Sequence, residues 1–176
     1  MRQKVTVERL RQFMDELAAL ARSPGNIYFT GGATALLLGF REQTIDVDIK
    51  LDPEPEGVFE AIAQLKSRLD LNIELASPDD FIPATTDWRE NSPLVASVGK
   101  LQFFHYDLTL QVLAKLERGH KQDLEDVRNF MHSGNVTSEE LGRKFREIEP
   151  LLIRYPAVDI QRFKTNVEKL LKGFRT

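Results

Sequence analysis

Two carboxylates, two residues apart, carry the first chemical signal. Asp46 and Asp48 sit in Thr44-Ile45-Asp46-Val47-Asp48-Ile49-Lys50. Period-two alternation predicts a strand with Ile45, Val47, Ile49 and Leu51 on one face and Asp46, Asp48 and Lys50 on the other. Like charges this close destabilise each other unless a cation lies between them. Magnesium or manganese, which take hard carboxylate oxygens, would answer that need. Upstream, Tyr28-Phe29-Thr30 runs into Gly31-Gly32 and a small-residue helix start, Ala33 to Gly39. Glycine lets backbone approach a ligand, and the N–H groups of a helix start attract phosphate. A phosphate cradle facing a metal-binding acid pair is equipment for phosphoryl or nucleotidyl transfer. Without a ligand, the same residues read as an ordinary strand–turn–helix–strand unit with a polar outer face.

Gly31-Gly32, a spacer, and Asp46-Val47-Asp48 between apolar residues resemble the signature of the polymerase-beta-like nucleotidyltransferases. The pattern is nearest to the AbiEii-type and related small bacterial nucleotidyltransferases. Arg41 and Thr44, just before the acid pair, resemble the family's R-x-x-T-x-D flavour. Downstream, Lys115 matches the family's helical lysine, and Asp123 and Asp126 match its KDxxD-like acids; Gln122 departs from that pattern, with Lys121 one place earlier. The resemblance implies an α+β nucleotidyltransferase fold: a small mixed β-sheet with helices on one face and a helical C-terminal part. It implies residues 1–106 as catalytic core and 107–176 as a helical part completing the site. It also implies a nucleoside triphosphate donor and two Mg²⁺ or Mn²⁺ ions held by Asp46, Asp48 and a third carboxylate. Gly31, Gly32, Arg41, Thr44 and Asp126 would serve the nucleotide; Asp46, Asp48, Lys115 and Asp123 would serve catalysis.

Several of these residues also have plainer readings. The third carboxylate is usually Asp on a neighbouring strand; here the candidate is Glu74, which reads equally well as an exposed residue on a sheet face. Lys115 either neutralises a triphosphate or joins a surface ion pair, with Asp123 and Asp126 on a solvated helix face. Arg41 either holds a phosphate oxygen or has a plain surface role, and Thr44 either supports the turn or has a plain surface role. The acids of Leu51-Asp52-Pro53-Glu54-Pro55-Glu56-Gly57 do not form a calcium loop, because the prolines break the pattern and no closing Glu follows. His105, His120 and His132 have no metal spacing and are assigned no chemistry.

Other elements must position these groups. Thr6 to Arg22 reads as an amphipathic helix with Val7, Leu10, Phe13, Met14, Leu17 and Leu20 on its apolar side. Val58 to Leu69 reads as a helix with Phe59, Ile62, Ala63, Leu65 and Leu69 inward, followed by a strand, Leu71 to Ala76. Ser77 to Pro83 is a turn or short helical piece. The polar stretch to Pro93 holds the single tryptophan, Trp88, which either stacks a base or packs on the sheet edge. Leu94–Val98, Gly99-Lys100 and Leu101–Tyr106 read as a hairpin. Asp107, Thr137 and Asp159 are predicted helix caps, and Gly119 a helix break.

Composition bounds the rest. The 176 residues suit one domain, or one domain with a helical extension. With 24 basic and 27 acidic residues the net charge is −3, which argues against a generic nucleic-acid coat. From Arg143 onward nine Lys/Arg face four Asp/Glu, a local excess of five, leaving −8 elsewhere. That basic tail reads either as a solvated helical face or as a surface for an RNA acceptor. The absence of cysteine excludes disulfides and thiolate zinc sites. Met1 to Val5 has no apolar signal-peptide core, and no apolar run spans a bilayer, so a cytoplasmic protein without membrane contact is expected. The acceptor would be a tRNA end, a protein side chain or a small molecule, and the resemblance leans towards a toxin with an antitoxin partner. The competing expectation is a nucleotide- or partner-binding module that keeps the fold without transfer. An antibiotic nucleotidyltransferase is a third reading, for which the chain is short.

Overall fold

The computed structural model describes residues 3–174; Met1 and Arg2, part of the stretch read for a signal peptide, and Arg175, one of the tail cations, lie outside them. The chain forms two units. One takes the chain up to Ser77 and then Ser92–Tyr106; the other takes Pro78–Asn91 and the chain from Asp107 onward.

The first unit is a mixed sheet with helices. Its strands are β1 (Gly25–Thr30), β2 (Asp46–Leu51), β3 (Asn72–Leu75), β4 (Leu94–Val98) and β5 (Leu101–His105), in the spatial order β3-β2-β1-β5-β4. β1 pairs antiparallel with β2 and parallel with β5; β2 and β3 are parallel, and β4 and β5 form the expected hairpin, with Val98 opposite Leu101. Gly99 supplies the left-handed φ of +55° that this two-residue turn needs. The helices α1 (Val7–Leu20), α2 (Gly31–Leu37) and α3 (Val58–Arg68) close over one face of the sheet. Leu10, Phe13, Met14 and Leu17 of α1 and Val58, Ala61, Ile62 and Leu65 of α3 meet Ile27, Phe29, Val47, Ile49 and Phe103 in one core. Thr6 caps α1 as expected, its hydroxyl accepting from the Arg9 N–H at 3.4 Å.

Five apolar residues depart from the expected faces: Leu20 at the end of α1 and Ala63 on α3 are exposed, as are the three that follow. Phe59 is 59% exposed, because the inner stripe of α3 runs 58-61-62-65 and its neighbour lies about 100° round the helix. Ile45 precedes β2 instead of belonging to it and is exposed, as is Leu75 at the end of β3.

The second unit is helical: α4 (Leu108–Arg118), α5 (Lys121–His132), α6 (Ser138–Ile148) and α7 (Ile160–Gly173), with 3-10 turns at Pro78–Asp80 and Glu149–Arg154. The predicted caps form: Asp107 accepts from Leu110 N–H, Thr137 from Glu140 N–H and Asp159 from Arg162 N–H. Gly119 ends α4 in the left-handed conformation. Phe163 and Val167 of α7 are buried, and Phe163 meets Phe145 of α6 edge to face. Trp88 is buried, with the Arg89 guanidinium 4.5 Å from its ring centre. Among the described residues no helix is long and apolar enough to cross a membrane.

A fully buried lysine joins the 78–91 segment to these helices. Lys144 on α6 contacts Asp107 and lies 3.3 Å from Asp87 and 3.4 Å from Thr85. Arg143 adds a 3.0 Å bond to Asp87. Burial pushes the Asp107 carboxyl up, against the pull of Lys144 and the Leu110 N–H. Burial also raises Asp87, but the bond with Thr85 and the charges of Lys144 and Arg143 outweigh it and hold its pKa down at about 2.

An acid whose folded pKa is depressed contributes stability that is fully present above its unfolded pKa, about 4, and lost as the pH falls through the folded one. Thermal unfolding followed between pH 5 and pH 2 should therefore show a shallower acid limb in Asp87→Asn than in the wild type. Parallel limbs would show that Asp87 is not a source of the acid sensitivity.

Candidate functional site

Strand register brings the first group of candidates together. In the β1–β2 ladder Thr30 lies opposite Asp48, so the residue after β1, Gly31, begins its bend beside that carboxylate. Gly31 has φ +59°, and a Cβ on it would stand 2.8 Å from Asp48 Oδ2. A Cβ on Gly32 would stand 2.2 Å from Thr44 Oγ1 and 3.4 Å from Arg41 Nη1. The diglycine bend is therefore walled by Asp48, Thr44 and Arg41, at a closeness only glycine permits. Thr44 is itself fixed: it exchanges two backbone hydrogen bonds with Val5, at 2.7 and 3.0 Å, and its hydroxyl donates to the Asp46 carbonyl at 3.3 Å.

The parallel β2–β3 ladder completes the polar face. Asp46 lies opposite Asn72, and Asp48 opposite Glu74. The buried Asn72 amide donates to Asp46 Oδ1 and, at 3.1 Å, to Glu74 Oε1. Glu74 is thus tied to Asp46 through Asn72. Sequence reasoning passed over Asn72, although alternation along β3 already placed it on the Glu74 face.

Among the described residues no group of three His, Cys, Asp or Glu side chains could hold a metal ion. Asp46 and Asp48 alternate onto the polar face of β2, and Asp48 stands beside a cradle that a Cβ would fill. That set suits Mg²⁺, which is commonly bound by one or two carboxylates, with waters and substrate phosphates completing the shell.

The downstream candidates meet in the helical unit. Lys115 of α4 lies 2.8 Å from Asp126 and 3.4 Å from Asp123, both on one face of α5, and is only 5% exposed. Arg118 grips both oxygens of Asp123, at 2.7 and 2.6 Å. Burial raises the Asp123 carboxyl, but the Arg118 bonds and the Lys115 and Arg118 charges outweigh it and leave it below the usual carboxylate range. The three residues form neither a surface pair nor a solvated acidic face; they form a buried ion cluster between two helices.

The chain belongs to a family described as a nucleotidyltransferase of unknown function (DUF6036), whose model matches residues 6–175. No curated protein and no solved structure matches it.

Gly32→Ala should cost about 1–3 kcal/mol of stability through overpacking against Thr44, and adding Thr44→Ala should recover part of that loss. Urea denaturation of the two single variants and the double variant measures the coupling; simple additivity would contradict the close approach. Lys115→Ala leaves two buried acids without their cation and should cost about 3–5 kcal/mol. An unchanged urea midpoint would place Lys115 outside the fold's supporting structure.

Proposed function

We propose that the protein moves a nucleoside monophosphate from a nucleoside triphosphate to an acceptor, in a reaction that depends on Mg²⁺ or Mn²⁺. The observation that carries this reading is the Asp48 carboxylate set against the Gly31-Gly32 bend. Family membership supports the reaction class.

Asp46 and Asp48 would hold the metal, which when bound supplies charge neutralisation on the phosphate oxygens. The bend at Gly31 and Gly32 lets backbone amides come close to phosphate, with the Arg41 guanidinium beside it. Thr44 keeps the bend in place, and Asn72 orients Asp46 and Glu74. Glu74 contributes through that hydrogen bond. The acceptor hydroxyl gives up its proton to solvent as it attacks the α-phosphorus, the bond from that phosphorus to the bridging oxygen of the β-phosphate breaks, and pyrophosphate leaves. Lys115, Asp123 and Asp126 support the helical part by fixing α4 on α5. The acceptor is a tRNA end, a protein or a small molecule. The resemblance to AbiEii-type proteins points to a toxin working beside an antitoxin.

The two-acid donor set favours one other reading, a module that binds nucleotide without transferring it. One experiment separates them. The protein is incubated with labelled ATP, GTP, CTP and UTP, Mg²⁺ or Mn²⁺, and total cell extract, and both pyrophosphate release and the labelled product are followed. Transfer with release supports the enzyme; nucleotide binding without release supports the module. Loss of an outer-shell partner typically costs about 10–100-fold, so Asn72→Ala should fall in that range and Asp48→Asn should lose more than about 100-fold. Full activity in Asp48→Asn would overturn the assignment.

A further inference from the structure

The helix-covered side of the sheet holds a second polar feature, remote in role from the acid pair. α1, α2, β4 and β5 line an open cleft of about 520 Å³. That volume lies within the range of small-molecule sites. Alternation along β5 sends Leu101, Phe103 and His105 to the core side, and His105, 6% exposed, reaches the cleft.

The tautomer of His105 follows from its partner. Its Nδ1 lies 3.1 Å from Thr34 Oγ1, and that hydroxyl donates to the Phe29 carbonyl at 3.0 Å. A hydroxyl has one proton to give. With the Thr34 proton directed to Phe29, the proton of the Thr34–His105 contact is assigned to Nδ1, which donates to Thr34 Oγ1. Nε2 is then left with its lone pair, on a ring that lines the cleft, and no hydrogen bond among the described residues uses it. Burial holds the imidazole pKa down at about 4, so Nε2 remains an acceptor at neutral pH.

The rest of the lining defines what would fit. Met14, Leu37 and Val98 give apolar walls, and the thioether favours contact with an aromatic ring. Arg11 and Asp15, one turn apart on α1, bring opposite charges that sum to zero. A ligand here has no net charge to match, apolar surface to cover and one histidine acceptor to meet.

We propose that this cleft is a second ligand site, taking an uncharged aromatic molecule that donates one N–H or O–H to His105 Nε2. Leaving that nitrogen unmatched costs a ligand the hydrogen bond, which is the source of selectivity.

Indole and 1-methylindole test this directly, since they share a ring system and differ in the N–H. Each is titrated at pH 7 into the full chain labelled with ¹⁵N, with the imidazole nitrogens followed by NMR. Indole should bind about three- to tenfold more tightly than 1-methylindole and shift the His105 Nε2 resonance. His105→Phe should abolish the preference while retaining both ligands. If that variant does not fold, His105→Gln serves, and the comparison of the two ligands on the wild type stands without any variant. Equal affinities, an unmoved Nε2 resonance, or no binding of either probe to a folded chain would overturn the proposal.

Discussion

The pairing of β1 with β2 governs the candidate site. Because Thr30 stands opposite Asp48, the chain leaves β1 with its next residue against a carboxylate. Only a glycine can make that bend at that distance, and the following glycine does the same against Thr44. The same register sends Val47 and Ile49 into the core beside Phe29. A slip of one residue would bury Asp48 and present Val47 to the bend, so the apolar face enforces the chemical one. β3 then continues the pattern in parallel, which sets Asn72 across from Asp46 and Glu74 across from Asp48.

The helical unit is ordered by a different kind of constraint. Lys115 and Lys144 are both buried, and each meets more than one acid. Burying such groups costs much of what their attraction returns, so their effect lies less in raw stability than in which partners are permitted. Asp107 shows this economy: one carboxylate oxygen caps α4 and the other meets Lys144. Asp87 and Thr85 then reach the same ammonium, which assigns the 78–91 segment to the helices.

Local signals were the legible ones. The four helix caps, the 99–100 turn, the diglycine bend and the acid pair each depend on residues within a few positions of one another. The mixed α+β class with helices on one face of the sheet was what the family resemblance implied, and alternation and helical periodicity laid out its elements. What escaped was set by distance along the chain. Whether Lys115 is a surface cation or a buried one depends on how α5 lies on α4, which charge counting does not contain. Phe59 looks like a core residue by type and is excluded only by the phase of its helix. Asn72 carried no motif, and its importance appears only when two strands are laid side by side. His105 was set aside because metal spacing was the only criterion applied to it; its character comes from Thr34, 71 residues earlier.

The helical unit is discontinuous in sequence, and this bears on how the protein is made. Every strand of the sheet unit has been synthesised by His105, and that unit has all its residues by Tyr106. Asp87, by contrast, must wait for Lys144, synthesised 57 residues later. At about 5–20 residues per second the delay is several seconds, long compared with the folding of most small domains. During nascent-chain growth the tryptophan-bearing segment is the first part of the helical unit to be produced, and it receives its counterions only once Arg143 and Lys144 follow.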